Sequence, residues 1–147
     1  MRAHAWAAII AMAVLAPAQA QQTPGWIADR NGCRVWNSIP HPGETIIWSG
    51  RCKRGYADGY GALAWLIDGK LYETYTGDME DGHFTGHGTQ IYNDGAIYTG
   101  DYMDDNLDGP GIVHTPEGDI FSGIWANHCF KGVRHRGTKS ERYSKCE

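Results

Sequence analysis

The stretch Asp104-Asp105-Asn106-Leu107-Asp108-Gly109 sets oxygen-bearing side chains at alternate positions with a glycine sixth, as the first half of a calcium loop does. Asp104, Asn106 and Asp108 would be the ligands. The second half does not follow, because Thr115 stands where a bidentate carboxylate is required and Pro110 comes directly after the glycine. A metal-free hairpin turn is the expectation, and weak calcium binding at this acidic turn is the secondary reading. His83 and His87, four apart, would suit a metal on a helix. They fall between Gly82 and Gly88, where a turn is expected and that spacing has no helical meaning. His114 and His128 occupy unrelated offsets.

Nucleophilic chemistry finds little support. Ser49 and Ser122 stand beside glycines, yet their slot recurs as Ser49, Thr76, Thr99 and Ser122, so it serves a strand in every unit. There is no GxSxG elbow. Carboxylates abound, but none sits in an apolar run that would hold it protonated. We expect no enzyme and no cofactor, with an exported hydrolase the least favoured reading. Cys33, Cys52, Cys129 and Cys146 have none of the close spacings of a zinc site, and an even count in an oxidising compartment points to two disulfides. Of the three possible pairings we expect Cys33 with Cys52 and Cys129 with Cys146, each bracketing one end of the repeats described below.

That compartment is inferred from the start of the chain. Arg2 and His4 precede an apolar run from Ala5 to Ala16, and Ala18-Gln19-Ala20 offers small residues for cleavage after Ala20. Roughly twenty apolar residues are needed to cross a bilayer as a helix. The run falls short, no later stretch does better, and Gln21 stands where a lipid anchor would need cysteine. Residues 1–20 therefore read as a signal peptide, and the mature chain as periplasmic or secreted with no transmembrane segment.

The elements that must position everything else repeat. An aromatic followed two residues later by glycine appears as Trp48/Gly50, Tyr75/Gly77, Tyr98/Gly100 and Phe121/Gly123. Glycine pairs follow the first three as Gly59/Gly61, Gly86/Gly88 and Gly109/Gly111, and the units close on Asp68-Gly69, Asp94-Gly95 and Glu117-Gly118. Alternation through Ile97-Tyr98-Thr99-Gly100-Asp101-Tyr102 places Tyr98, Gly100 and Tyr102 on one face of a strand, with Thr99 and Asp101 on the other. Glycine-rich stretches and acid-glycine pairs turn the chain. Glycine between two rings removes the side chain that would hold rings of adjacent strands apart.

The run Tyr75-x-Gly77-x-Met79-x-x-Gly82-x-x-x-Gly86-x-Gly88, then Asn93-Asp94-Gly95 and Tyr98-x-Gly100, resembles the MORN (membrane occupation and recognition nexus) repeat. The likeness covers about residues 48–132, as three units and the first strand of a fourth. The opening Cys33-Arg34-Val35-Trp36-Asn37, with Trp48-x-Gly50-x-Cys52, is similar to the start of exported bacterial proteins of this type. Asp105 stands where the family usually has glycine, and Thr115 where it usually has an aromatic. The resemblance implies an all-β fold, a single-layer twisted antiparallel meander of hairpin repeats, used for protein contacts and sometimes credited with phospholipid binding.

The expected organisation is a signal peptide (1–20), a loose lead-in or cap (21–46), the repeat sheet (47–132) and a basic tail (133–147). Trp48, Trp65, Tyr75, Tyr92, Tyr98, Tyr102, Phe121 and Trp125 should gather on one face and meet a protein partner. Residues 68–119 carry twelve acids against one base, Lys70, while residues 131–145 carry six bases against one acid, Glu141. An acidic array excludes nucleic acid as its partner, since phosphates require a positive surface. Membrane-surface contact by the basic tail stays secondary to a solvated terminus. A non-catalytic module for protein–protein interaction or scaffolding is the expected function, with a small-ligand or ion binder as the alternative.

Overall fold

The computed structural model describes residues 23–126 and 129–146. Residues 1–20, read from the sequence as a signal peptide, together with Gln21, His128 and the side chain of Cys146, lie outside the described residues. All regular structure among those described is β. The strands are β1 (Gly25–Ala28), β2 (Arg34–Asn37), β3 (Glu44–Trp48), β4 (Arg51–Lys53), β5 (Tyr56–Ile67), β6 (Lys70–Glu80), β7 (His83–Ile91), β8 (Ile97–Met103), β9 (Asn106–His114), β10 (Asp119–Ala126), β11 (Cys129–Arg136) and β12 (Lys139–Cys146). From β5 to β12 each strand pairs with the next. β3 and β4 share the other edge of the long β5, and β2 touches its start in one parallel pairing, Arg34 with Tyr56. No helix among the described residues is long and apolar enough to cross a membrane.

Tight turns make this ladder possible. In Arg54-Gly55, Asp68-Gly69, Asp81-Gly82 and Asp104-Asp105 both residues have positive φ, the mirror-image turn whose twist matches that of its strands. Asn93-Asp94-Gly95 and Pro116-Glu117-Gly118 use one residue more, with the glycine N–H donating back to Tyr92 and Thr115. His83 and His87 therefore lie inside β7 rather than in a turn, because the turn is completed by Asp81 and Gly82 alone.

The two glycines of each repeated pair answer different constraints. The second lies beneath a ring: a Cβ on Gly88 would come within 2.5–2.7 Å of Tyr75 ring atoms, and one on Gly111 equally close to Tyr98. Each faces the glycine of the neighbouring strand, Gly77 opposite Gly88 and Gly100 opposite Gly111, so one ring covers a bare pair. The first glycine sits where the returning strand bulges. The register steps from Gly77–Gly88 to Asp78–Thr85, and from Gly100–Gly111 to Tyr102–Leu107. Gly86 (φ 57°) and Gly109 (φ 102°) take that bend without the Cβ clash another residue would meet.

The ring then fastens its polar tip. Trp48 Nε1 donates to the carbonyl of Arg51 (2.9 Å), Tyr75 Oη to that of Asp78 (2.7 Å) and Tyr98 Oη to that of Asp101 (3.0 Å), always three residues on. Phe121 has no such donor. In its unit the ring lying against Gly132 is Phe130, which comes from the returning strand.

One core cluster joins Trp48, Leu63, Trp65, Tyr75, Met79, Phe84, Tyr98 and Tyr102 to Val35 of β2 and to Cys33 just before it. The N-terminal segment is thus no loose lead-in. Its β1–β2 hairpin buries Val35 completely and is tied to the sheet by the Cys33–Cys52 disulfide, with Cα atoms 5.7 Å apart. The sheet is open and predominantly antiparallel, and part of its ring-bearing face is covered by this hairpin. On the opposite face Thr76, Thr89 and Thr99 align across three strands, with Thr89 and Thr99 hydroxyls 3.0 Å apart. Of the basic segment expected as a tail (133–147), residues 133–146 form a hairpin instead: β11 runs to Arg136 and β12 pairs with it along its length. Cys129 is disulfide-bonded and its partner in the register is Cys146.

Gly111→Ala should overpack the Tyr98 ring and lower unfolding free energy by about 1–3 kcal/mol. Tyr98→Phe, which deletes only the fastening hydroxyl, should lose about 0.5–1.5 kcal/mol. Urea titrations of the two variants check both, and an Ala variant as stable as the parent would refute the ring-over-glycine arrangement.

Candidate functional site

The eight rings expected at a contact surface share one face, but most are closed to solvent. Trp48, Trp65, Tyr75, Tyr98 and Tyr102 are at most 8% exposed, and Tyr92, Phe121 and Trp125 are half-buried. Several of them join Phe84 and Phe130 in a continuous path across the strands, some pairs edge to face and others stacked or tilted. Trp65 meets Phe84 (5.8 Å), Phe84 stacks on Tyr75 (3.9 Å), Tyr75 meets Tyr102 (5.4 Å) and Tyr102 meets Tyr98 (5.2 Å). Trp125 and Phe130 continue the path. Phe84 and Phe130 each stand nine residues after a repeat aromatic, Tyr75 and Phe121, and that spacing would have marked them as core partners. The stripe is chiefly a core, in which the rings join Leu63 and Met79 to cover the glycine-rich strands.

The ring-bearing face stays open where the β2–β3 connection stands over β6 and β7. This cleft of about 350 Å³ is lined by Trp36, Ser38, Ile39, His41, Glu44, Trp65, Tyr72, Glu73, Phe84, Gln90, Tyr92, Asn93 and Asp105. Only Trp65 and Tyr92 of the sequence candidates belong to it. Glu73 stands two residues before Tyr75 on β6, so alternation points it to the ring face, directly across from Trp65. Tyr72 is the residue skipped where the β5–β6 register shifts, and the bulge turns its ring into the cleft. His41 packs on Tyr72 with ring centres 5.0 Å apart, and its Nε2 lies 3.4 Å from the Tyr72 hydroxyl. The other nitrogen of His41, Nδ1, is buried without a hydrogen-bond partner. Glu44 fixes the overhanging wall, since its Oε2 accepts from Asn37 Nδ2 (2.6 Å) and the His41 N–H (3.0 Å).

Glu73 and Asp119 occupy the same slot, two residues before a repeat aromatic, and their environments pull them apart. Burial raises the Glu73 carboxyl above its ordinary pKa, opposed by hydrogen bonds from the Asn93 backbone and from Gln90 Nε2 (3.4 Å). Asp119 is held well below the usual range, first by its hydrogen bonds with Arg136 and then by those with Arg134. Arg134 Nη2 lies 2.6 Å away and Arg136 Nη2 2.5 Å, with a further bond from Arg136 Nε. Gln90 and Arg134 are equivalent in register, opposite Tyr75 and Phe121 respectively. The first slot therefore receives an amide where the second receives a guanidinium.

The remaining sequence candidates lie elsewhere. Asp104 in the tight turn and Asn106 just after it are exposed, with Asn106 Nδ2 donating to the Asp104 carbonyl (2.7 Å). Asp108 is part of β9. Among the described residues no three His, Cys, Asp or Glu side chains gather as a metal would require. Asp105 accepts the Phe84 N–H (2.7 Å) and pairs with His83 Nδ1 (2.5 Å), which gives the acid found at the family's glycine position a bracing task. His83 is no scattered surface residue, for its ring packs on Trp26 (5.2 Å). His87 meets Asp101 at the surface (2.9 Å). Ser49 Oγ accepts the Ala62 N–H (2.8 Å), which is strand work.

No family model and no curated protein matches this chain.

Asp119 carries a pH dependence. With its folded pKa below the unfolded value of about 3.9, its contribution is fully present above about pH 4 and is lost as pH falls toward the folded pKa. Thermal melts should therefore drop on acidification below about pH 4. Asp119→Asn should melt lower at pH 7 and show a flatter acid limb, whereas an unchanged acid limb would mean the carboxylate titrates normally.

Proposed function

We propose that this chain is an exported, non-catalytic binding module of the MORN type that engages a protein partner at the cleft over β6 and β7. The observation carrying this reading is the cleft itself: five aromatic side chains, Trp36, Trp65, Tyr72, Phe84 and Tyr92, and convergent polar groups in a concavity walled by paired strands and a pinned loop. Rings that give contact area from rigid backbone are what recognition surfaces favour. The expected broad aromatic face contracts to this opening, because elsewhere the rings cover one another. The repeat resemblance supports protein contact, and the Cys33–Cys52 bridge together with the apolar start supports export. Glu44 and Asp105 spend their carboxylates on the chain's own N–H groups, which favours holding a guest over transforming it. One observation favours a second reading, a hydrolase: Glu73 has the raised pKa of a proton donor.

A photoreactive amino acid at Ile39, on the cleft rim, should crosslink a discrete envelope protein, while the same probe at Ile124, exposed on the opposite face, should not. Equal adducts from both positions would place recognition elsewhere. Turnover of any substrate panel that vanishes in Glu73→Gln would replace the binding reading with the hydrolase.

A further inference from the structure

The same chain shows what its ring face does with a carboxylate two residues before an aromatic. At Asp119 the acid is met by Arg134, whose guanidinium also lies 5.6 Å from the centre of the Phe121 ring. A planar cation on a ring with its fork on a carboxylate is the arrangement arginine serves best. At the corresponding acid, Glu73, the parts are present except the cation. The Trp65 indole stands directly across the strand pair, Tyr72 and Tyr92 line the same cleft, and the residue in the Arg134 position is Gln90. Gln90 divides its amide between Glu73 and the Tyr102 hydroxyl, which donates to its Oε1 at 3.2 Å. The carboxylate is left partly buried with one long neutral hydrogen bond from a side chain.

We propose that the cleft receives the guanidinium of an arginine side chain from the partner protein, seated against its aromatic wall and paired with Glu73. This rests on the reading of the cleft as the recognition site. Three further observations favour it. The lining carries three carboxylates, Glu44, Glu73 and Asp105, with His41 the one side chain there able to carry positive charge. The volume, about 350 Å³, is at the small end for ligand sites and suits one long side chain. Residues 68–119, with twelve acids against one base, give this part of the chain a negative charge that would steer a basic segment toward it.

The test uses the mature protein and three blocked pentapeptides, Gly-Gly-X-Gly-Gly, with X arginine, citrulline or lysine, followed by NMR of the tryptophan indole N–H groups and by calorimetry. The arginine peptide should bind saturably in the millimolar range and shift the Trp36 and Trp65 signals. The neutral isostere citrulline should bind at least tenfold more weakly, and lysine, lacking the fork, severalfold more weakly. Glu73→Gln should abolish the preference for arginine over citrulline while leaving thermal stability unchanged or raised, because burial already disfavours that charge. Equal affinity for arginine and citrulline in the parent protein overturns the guanidinium assignment without need of any variant. If citrulline and arginine both shift the indoles alike, the cleft survives as a recognition site for another chemistry. If no peptide shifts them and crosslinks come from the Ile124 face, both readings fall.

Discussion

A tyrosine or tryptophan laid across two facing glycines, its polar tip bonded three residues on, is the interaction on which this sheet depends. It solves two problems together. A glycine-rich strand has little apolar surface of its own, and an open sheet has no second sheet to pack on, so rings must cover the backbone directly. The donor on the ring then satisfies a carbonyl just past the glycine, close to where the bulge disturbs the ladder. Phe121 is the instructive exception. Lacking that donor, it cedes the glycine to Phe130, its own ring meets Phe130 and Tyr143 at an angle, and the bulge of the two preceding units is absent from the β10–β11 register.

Because the rings are consumed in this way, the opening on the ring face lies at the margin of the stripe. The margin exists because the N-terminal hairpin and its following loop cover one end of the ring face without filling it. A disulfide, a buried Val35 and the Glu44 carboxylate hold that cover at three points. The bulge at Tyr72, which the sequence shows only as a spacing of 27 residues from Trp48 to Tyr75 against 23 from Tyr75 to Tyr98, turns a side chain into the gap. Local irregularity on a regular scaffold thus supplies the concavity.

Solvation accounts for the opposite fates of the two acids in equivalent slots. A carboxylate drawn toward a ring-lined face loses water, and the loss is tolerable if cations replace it. Asp119 has two guanidinium partners from β11 and stays ionised far into acid. Glu73 has an amide, and its proton is held more firmly. The same contrast turns the basic C-terminal segment from a free tail into a strand, since two of its arginines are engaged with Asp119.

Much of the architecture was written in one dimension. The spacing of aromatics and glycines named the strands of the repeats, their common face and the glycines beneath rings, because a period of two and the absence of a Cβ are properties of the chain itself, while the Cys33–Cys52 pairing, expected because it brackets one end of the repeats, needed the fold to select it from three. The length of each turn was not legible, for Asp-Gly serves both the two-residue turn at Asp68 and the longer one after Tyr92. Neither was the cleft. Glu73, Gln90, Tyr72 and His41 look ordinary in sequence, and they meet only because register, one bulge and a folded-over hairpin bring distant segments together. Which rings would be covered, and which acid would lack a cation, follows from side chains packing across strands. That is a property of the folded surface and of the water it excludes.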